Sequence, residues 1–178
     1  RGNKVYLSAS KYREYEYGWG TIYNIAWALP EIEFHLYGSD WDWPSKCEHV
    51  NLTETLRRQG ITPKEYAPNI IIHGRVSKKQ MNKEISKMQC GLRLNKHDGF
   101  SEITAKSVLW GQYPITYLYH PHISQFTADN YGISTTSKNM QKLYKLLKAI
   151  PKKKKPNLKA RKYYNETLNN FPWNCKKH

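Results

Sequence analysis

A chain of 178 residues is long enough for one hydrophobic core of two or three layers and too short for two full domains. Six Trp, fourteen Tyr and 39% hydrophobic residues exclude an intrinsically disordered chain. A formal net charge of +15 points to an anionic partner (nucleic acid, a phosphorylated ligand or an acidic lipid surface) without choosing among them. Cys47, Cys90 and Cys175 are far apart and have no CxxC or His-x-x-x-His companion, so neither a disulfide framework nor a metal site is expected. No apolar run approaches the roughly 20 residues of a spanning helix, and the first residues carry no signal-peptide core. A cytoplasmic protein is expected, at most peripheral at a membrane.

In chain order, short runs rich in β-branched and aromatic residues predict strands at Lys4–Ser8, Ile32–Tyr37, Asn69–His73, Cys90–Leu94, Pro114–Tyr117 and Gly132–Thr136. Between them, apolar residues at helical spacing predict helices over Thr21–Leu29, Lys78–Met88 and Ser101–Trp110, with a further helix at Leu52–Gln59 closed by Gly60 as its C-cap. The last two helices are expected at Ser137–Ala149, stopped by Pro151, and at Leu158–Asn169. Alternation of this kind implies α/β architecture: a doubly wound, Rossmann-like parallel sheet of about six strands with helices on both faces, because parallel strands need crossovers and helices supply them. The division expected is one such domain over 1–150, followed by a basic linker and C-terminal helix over 151–178. The lysine run at Lys152, Lys153, Lys154 and Lys155 reads first as a solvated charge run.

If the strands take the common doubly wound order 3-2-1-4-5-6, the ligand crevice lies at the carboxyl ends of strands 1 and 4, where the winding reverses. Two loops border it. Ala9–Gly20 carries Lys11, Arg13 and Gly18-Trp19-Gly20 before a helix; Asn95–Ser101 carries Lys96-His97-Asp98-Gly99-Phe100 before another. Glycines at a strand-to-helix turn let backbone N–H groups approach an anion, and the helix end adds roughly half a positive charge, so both loops suit a diphosphate. Each glycine by itself is equally an ordinary turn residue. His97 has no carboxylate or nucleophile paired with it by sequence and reads as a turn residue; Trp19 could stack on a ligand.

The stretch Gly91-Leu-Arg-Leu-Asn-Lys-His-Asp-Gly-Phe-Ser101, a helix ending at Gly111 and a strand opening at Pro114-Ile115 resemble the donor-site signature of retaining GT-B glycosyltransferases of the group 1, or family 4, type. Gly74-Arg-Val-Ser-Lys-Lys-Gln-Met81 resembles that family's turn into the next helix, and His35-Leu-Tyr-Gly38 the end of its second strand; order and spacing agree over about residues 4 to 149. The resemblance implies the C-terminal, donor-binding half of an enzyme that transfers a glycosyl group from a UDP- or GDP-type nucleotide-diphosphate sugar to an acceptor. The acceptor would be bound by a separate N-terminal domain, onto which the C-terminal helix would pack.

By the same resemblance, Asp98 contacts the donor sugar. The amides around Gly99, Phe100, Ser101 and Glu102, with Gly18 and Gly20, hold the diphosphate, and Arg75 and Val76 border the base. Asp98, Lys11 and Arg13 are the catalytic candidates, and Arg93 is either a donor contact or a structural ion pair beneath the loop. The family's second acidic position, its ribose contact, falls on Lys106, a departure from the pattern; Glu102, one turn earlier on the same helix, is the candidate for part of that role, with altered donor choice or lost activity as the other readings. No metal or other cofactor is implied. Two other readings remain open: a basic nucleic-acid-binding module, and a non-catalytic domain of the same fold. An anionic membrane surface is a further candidate partner for the basic tail.

Overall fold

The structure, a computed structural model, describes residues 3–8, 18–38, 58–60, 65, 67–95, 101–117, 129–130, 136–153 and 155–166. β1 (Lys4–Ser8) pairs in parallel along its whole length with β2 (Glu33–Tyr37), from Lys4 opposite Glu33 to Ser8 opposite Tyr37. On its other side it pairs with β4 (Cys90–Arg93), Val5 opposite Cys90. β3 (Ile70–Gly74) flanks β2, while β5 (Ile115–Thr116) and β6 (Asp129–Asn130) extend the sheet beyond β4. The order is therefore β3-β2-β1-β4-β5-β6, all parallel, with the reversal of winding between β1 and β4.

Successive side chains of a strand point to opposite faces, so one register decides both layers. Val5 and Leu7, Phe34 and Leu36, Cys90 and Leu92 face one way. They are sealed by α1 (Trp19–Ala28), through Ile22, Ile25 and Ala26, and by α4 (Thr136–Ala149), through Leu143 and Leu147. Tyr6 and Tyr37 face the other way, toward α2 (Lys78–Ile85) and α3 (Glu102–Leu109), where they meet Ile85, Met88 and Ile103. α5 (Leu158–Glu166) packs outside α3, Ala160 and Tyr164 against Ala105 and Val108. Asn69 ties the C-terminus of α1 to the strands: its amide donates to the carbonyls of Ala26 (2.9 Å), Leu29 (3.1 Å) and Ile32 (2.9 Å).

Five of the six strands lie where the apolar runs predict them. The sixth strand of the sheet is β6 (Asp129–Asn130); of the run expected as a strand at Gly132–Thr136, residues 132–135 lie outside the described residues and Thr136 opens α4. Threonine and serine are as suited to a helix start as to a strand, which makes Ile133-Ser-Thr-Thr136 ambiguous in sequence. α2 stops at Ile85 rather than Met88 because Ser86 and Met88 fold into tight turns, the Met88 N–H donating to Ile85 O (3.0 Å), that deliver the chain into β4. Pro151 ends the α-helical geometry, but the chain continues as a 3₁₀ turn over Ile150–Lys152. Gly60 has φ +71°, the left-handed conformation of a C-cap, while residues 52–57 of its expected helix lie outside the described residues, as do 167–169 of the last one.

Candidate functional site

The reversal of winding puts the candidate crevice at the carboxyl ends of β1 and β4. Lys11, Arg13, His97, Asp98, Gly99 and Phe100 lie outside the described residues. Gly18 is the N-cap of α1, with φ 71° and ψ 35°, a conformation that disfavours any residue with a Cβ. A Cβ there would also lie 3.0 Å from Cβ of Leu94, the residue that follows β4. Glycine is thus favoured twice at this position, by conformation and by space, and the close approach joins the start of α1 to the exit of β4. Gly20 is the second residue of α1, whose N-terminus has no side-chain cap.

The start of α3 is built differently. Ser101 is fully buried and caps the helix, its Oγ accepting the Thr104 N–H (3.2 Å) and lying 2.6 Å from Thr104 Oγ1. Glu102, in the first turn where a carboxylate complements the helix dipole, pairs with Lys106 Nζ at 2.9 Å and lies 4.0 Å from Lys78 Nζ. The hydrogen bond from Lys106 holds the Glu102 carboxyl below its ordinary range, and the charges of Lys78 and Arg93 act in the same direction. Arg93, at the end of β4, therefore belongs to the electrostatic surroundings of Glu102. Lys106, which stands where the resembled family has its second acid, is 13% exposed and engaged by the carboxylate one turn before it.

Arg75 and Val76 follow β3, two strands from the reversal. Arg75 is exposed, and Val76 is half-buried against the Tyr6–Tyr37–Ile85 cluster. Two residues on, Ser77 caps α2 by accepting the Gln80 N–H (3.2 Å), and Lys78 reaches Glu102, so the turn after β3 and the start of α3 are neighbours.

Beneath the crevice a buried polar network fixes α3 to the sheet. The Tyr6 hydroxyl and Ser107 Oγ, 2.8 Å apart, both lie 2.9 Å from Gln112 Oε1, and the Gly91 N–H donates to Ser107 Oγ (2.8 Å). The Gln112 amide donates to Ile85 O (2.8 Å) and Met88 O (2.9 Å), tying in the end of α2. A Cβ on Gly91 would lie 2.5 Å from Ser107 Oγ. Gly91, the first residue of the quoted signature, thus serves packing beneath the crevice. Burial pushes the Tyr6 hydroxyl and the Cys90 thiol far up, so both stay protonated and neither is a reactive group.

Sequence reasoning passed over two residues as ligands. Asn95 (6% exposed) follows β4, and Thr116 (fully buried) ends β5; their Oδ1 and Oγ1 are buried and have no hydrogen-bond partner among the described residues. Both sit at carboxyl ends of strands. An orphaned buried polar atom costs about 1–3 kcal/mol, which a ligand donor could recover. An asparagine directly after an apolar strand at the switch point was the available signal.

No protein-family model and no curated protein matches the sequence. Solved structures do match the fold. TarM aligns with 93% of this chain at a TM-score of 0.61 and 11% identity, over 32% of its own length. The pneumococcal O-GlcNAc transferase GtfA, in complex with UDP and GlcNAc, aligns with 92% of this chain at 0.53 and 12% identity, over 32% of its length. An alpha-glucosyltransferase in complex with UDP-glucose and DNA containing an abasic site aligns with 95% at 0.57 and 12% identity, over 48% of its length.

This chain has the fold of a GT-B glycosyltransferase half. It spans between a third and a half of the proteins it resembles.

Proposed function

We propose that the crevice between β1 and β4 binds a nucleotide-diphosphate sugar, and that the chain is the donor half of a glycosyltransferase whose acceptor is held by another domain. The observation that carries this reading is the contact of Gly18 with Leu94. It brings the N-terminus of α1, which has no side-chain cap, against the strand exit that leads to α3, and a helix N-terminus at the switch point suits an anion.

In this reading the diphosphate lies on the amides at the start of α3 and α1, with Lys11 or Arg13 as counter-charge. Asp98 contacts the sugar, and stabilising the leaving diphosphate is the main catalytic contribution. Glu102 receives the ribose hydroxyls. A carboxylate has about four acceptor sites, and Lys106 and Lys78 occupy only part of them. Asn95 supplies a further donor contact through its unpartnered Oδ1. The neighbours bound to UDP, GlcNAc and UDP-glucose support a UDP-type donor by likeness of fold.

A thermal-shift screen of the purified chain against UDP, GDP, ADP, CMP and their sugar conjugates tests it. Ligand at about 100 times its Kd adds about 2.7 kcal/mol to stability and raises Tm. A shift with one nucleotide diphosphate is expected, with Asp98→Ala losing only the extra shift due to the sugar. Absence of a shift with every nucleotide refutes the donor reading.

A further inference from the structure

We propose that the pole formed by the amino ends of the strands, opposite the crevice, docks on an anionic lipid bilayer. Because all strands are parallel, their amino ends share that pole, and the chain after α4 is stitched across it. Gln89 Nε2 donates to Lys153 O, the Tyr113 hydroxyl to Lys155 O (3.1 Å) and the Asn157 N–H to Gly111 O (2.7 Å). Gln89 directly precedes β4, and Gly111 and Tyr113 precede β5. Lys153 and Lys155 are therefore held at the amino ends of β4 and β5, the pole opposite the crevice.

Lys152, Lys155 and Lys159 are exposed on this pole, as are Lys148 at the end of α4 and Lys87 just before β4. Lys153 lies over the Tyr113 ring at 4.7 Å. From Tyr131 to Asn165 the sequence contains no Asp or Glu. Among the described residues, Glu31 and Glu33 sit at the amino end of β2, Glu65 shortly before β3 and Asp129 at the start of β6; Glu33 is paired with Lys4 (3.0 Å) and His35 (3.0 Å), and Glu31 acts electrostatically on Lys148. Among the described residues, lysines outnumber acids at this pole, which leaves it cationic.

Lysines by themselves suit any polyanion. What favours a bilayer is the position of the two large hydrophobic side chains most exposed among the described residues, Trp27 (61%) and Leu158 (64%). Trp27 is in the last turn of α1, which Asn69 anchors ahead of β3, and Leu158 is the first residue of α5, directly after the lysine run. Both therefore lie at the lysine-bearing pole. An exposed Trp suits the headgroup level and a Leu the acyl boundary, whereas a phosphodiester backbone has no use for an exposed Leu. Docked this way, the crevice faces away from the membrane.

The test is co-sedimentation of the purified chain with vesicles of phosphatidylcholine alone and of phosphatidylcholine with about a third phosphatidylglycerol. Binding is expected only to the anionic vesicles. Each lysine near an acidic surface is worth about five-fold in partitioning, so Lys152→Gln/Lys155→Gln/Lys159→Gln should lose about 100-fold. Trp27→Ser/Leu158→Ser should also lose vesicle binding while leaving any binding to a DNA duplex unchanged. All the replaced side chains are exposed, and unchanged thermal melting verifies the fold of each variant. Equal sedimentation with both vesicle types, none with either, or full binding by the lysine variant overturns the proposal. So does a duplex affinity that depends on the lysines together with vesicle binding that ignores Trp27 and Leu158, an outcome that would assign the surface to nucleic acid.

Discussion

The two faces of the sheet are held by different physics. On the α1/α4 face, Val5, Leu7, Phe34, Leu36 and Leu92 pack against aliphatic helix residues, and burial of apolar surface supplies the stability. On the α2/α3 face the same strands present Tyr6, Gly91, His35 and Tyr37, and hydrogen bonds determine the arrangement. Tyr6, Ser107 and Gln112 lock α3. Farther toward the edge, His35 Nδ1 lies 2.8 Å from His73 Nε2, His35 Nε2 3.0 Å from Glu33, and the Tyr37 hydroxyl donates to Glu84 (2.6 Å). A hydrophobic face tolerates small displacements of its helices, whereas a hydrogen-bonded one specifies them. Of the two helices whose N-termini border the crevice, α3 is on the face that specifies position and α1 on the apolar one.

The comparison breaks most visibly at Phe34. Phe34→Ala should cost about 3–5 kcal/mol in a denaturant titration, through lost burial and a cavity on the apolar face. Gly91→Ala on the polar face should cost about 1–3 kcal/mol by overpacking against Ser107 Oγ. Adding Ser107→Ala should recover part of that loss, because it removes the clashing atom, although the Gly91 N–H then loses its acceptor; a double-mutant cycle measures the non-additivity.

Asn95→Leu separates stability from function. Removing an orphaned buried acceptor should leave the melting temperature equal or higher, while donor affinity in a calorimetric titration should fall about tenfold if Oδ1 contacts the ligand.

A smaller effect is expected from His35, whose pKa is lowered chiefly by burial, with His73 acting in the same direction and Glu33 opposing. A histidine depressed in the fold leaves the unfolded chain binding more protons. Stability should be full above the ordinary histidine value of about 6.5 and decline as pH falls below it. A Tm-against-pH series should show this slope, and His35→Gln should flatten it. The smallest change is expected from Glu102→Gln: the Glu102–Lys106 pair is half-exposed, so stability should move by about 0–1 kcal/mol, and ligand binding is the more sensitive readout.

Much of the fold was legible because the two periodicities were clean. Val5, Leu7, Phe34 and Leu36 alternate as a two-faced strand does, and Ile22, Ile25, Ala26 and Leu29 recur as a helix stripe does. The edge was not legible: β6 has two residues, and the hydroxyl-rich stretch before α4 suits strand and helix alike. At the crevice, the doubly wound order pointed to Gly18 and to the start of α3 before any coordinates. The engagement of Lys106 by Glu102 is a local contact one helical turn apart, whereas the approach of Lys78 to Glu102 and the isolation of Asn95 Oδ1 depend on residues distant in sequence, which no local pattern encodes.

By itself the sequence determined element type, the alternation that demands a parallel sheet, the basic charge and the glycine-bearing turns, because these follow from local sterics and from the period of apolar residues. Only the tertiary structure decided that Gly18 must yield space to Leu94, that Gly91 must yield it to Ser107, and that the lysine run crosses the pole opposite the crevice. Those outcomes are set by contacts between segments far apart in the chain, which exist only after the sheet has fixed which strand ends are neighbours.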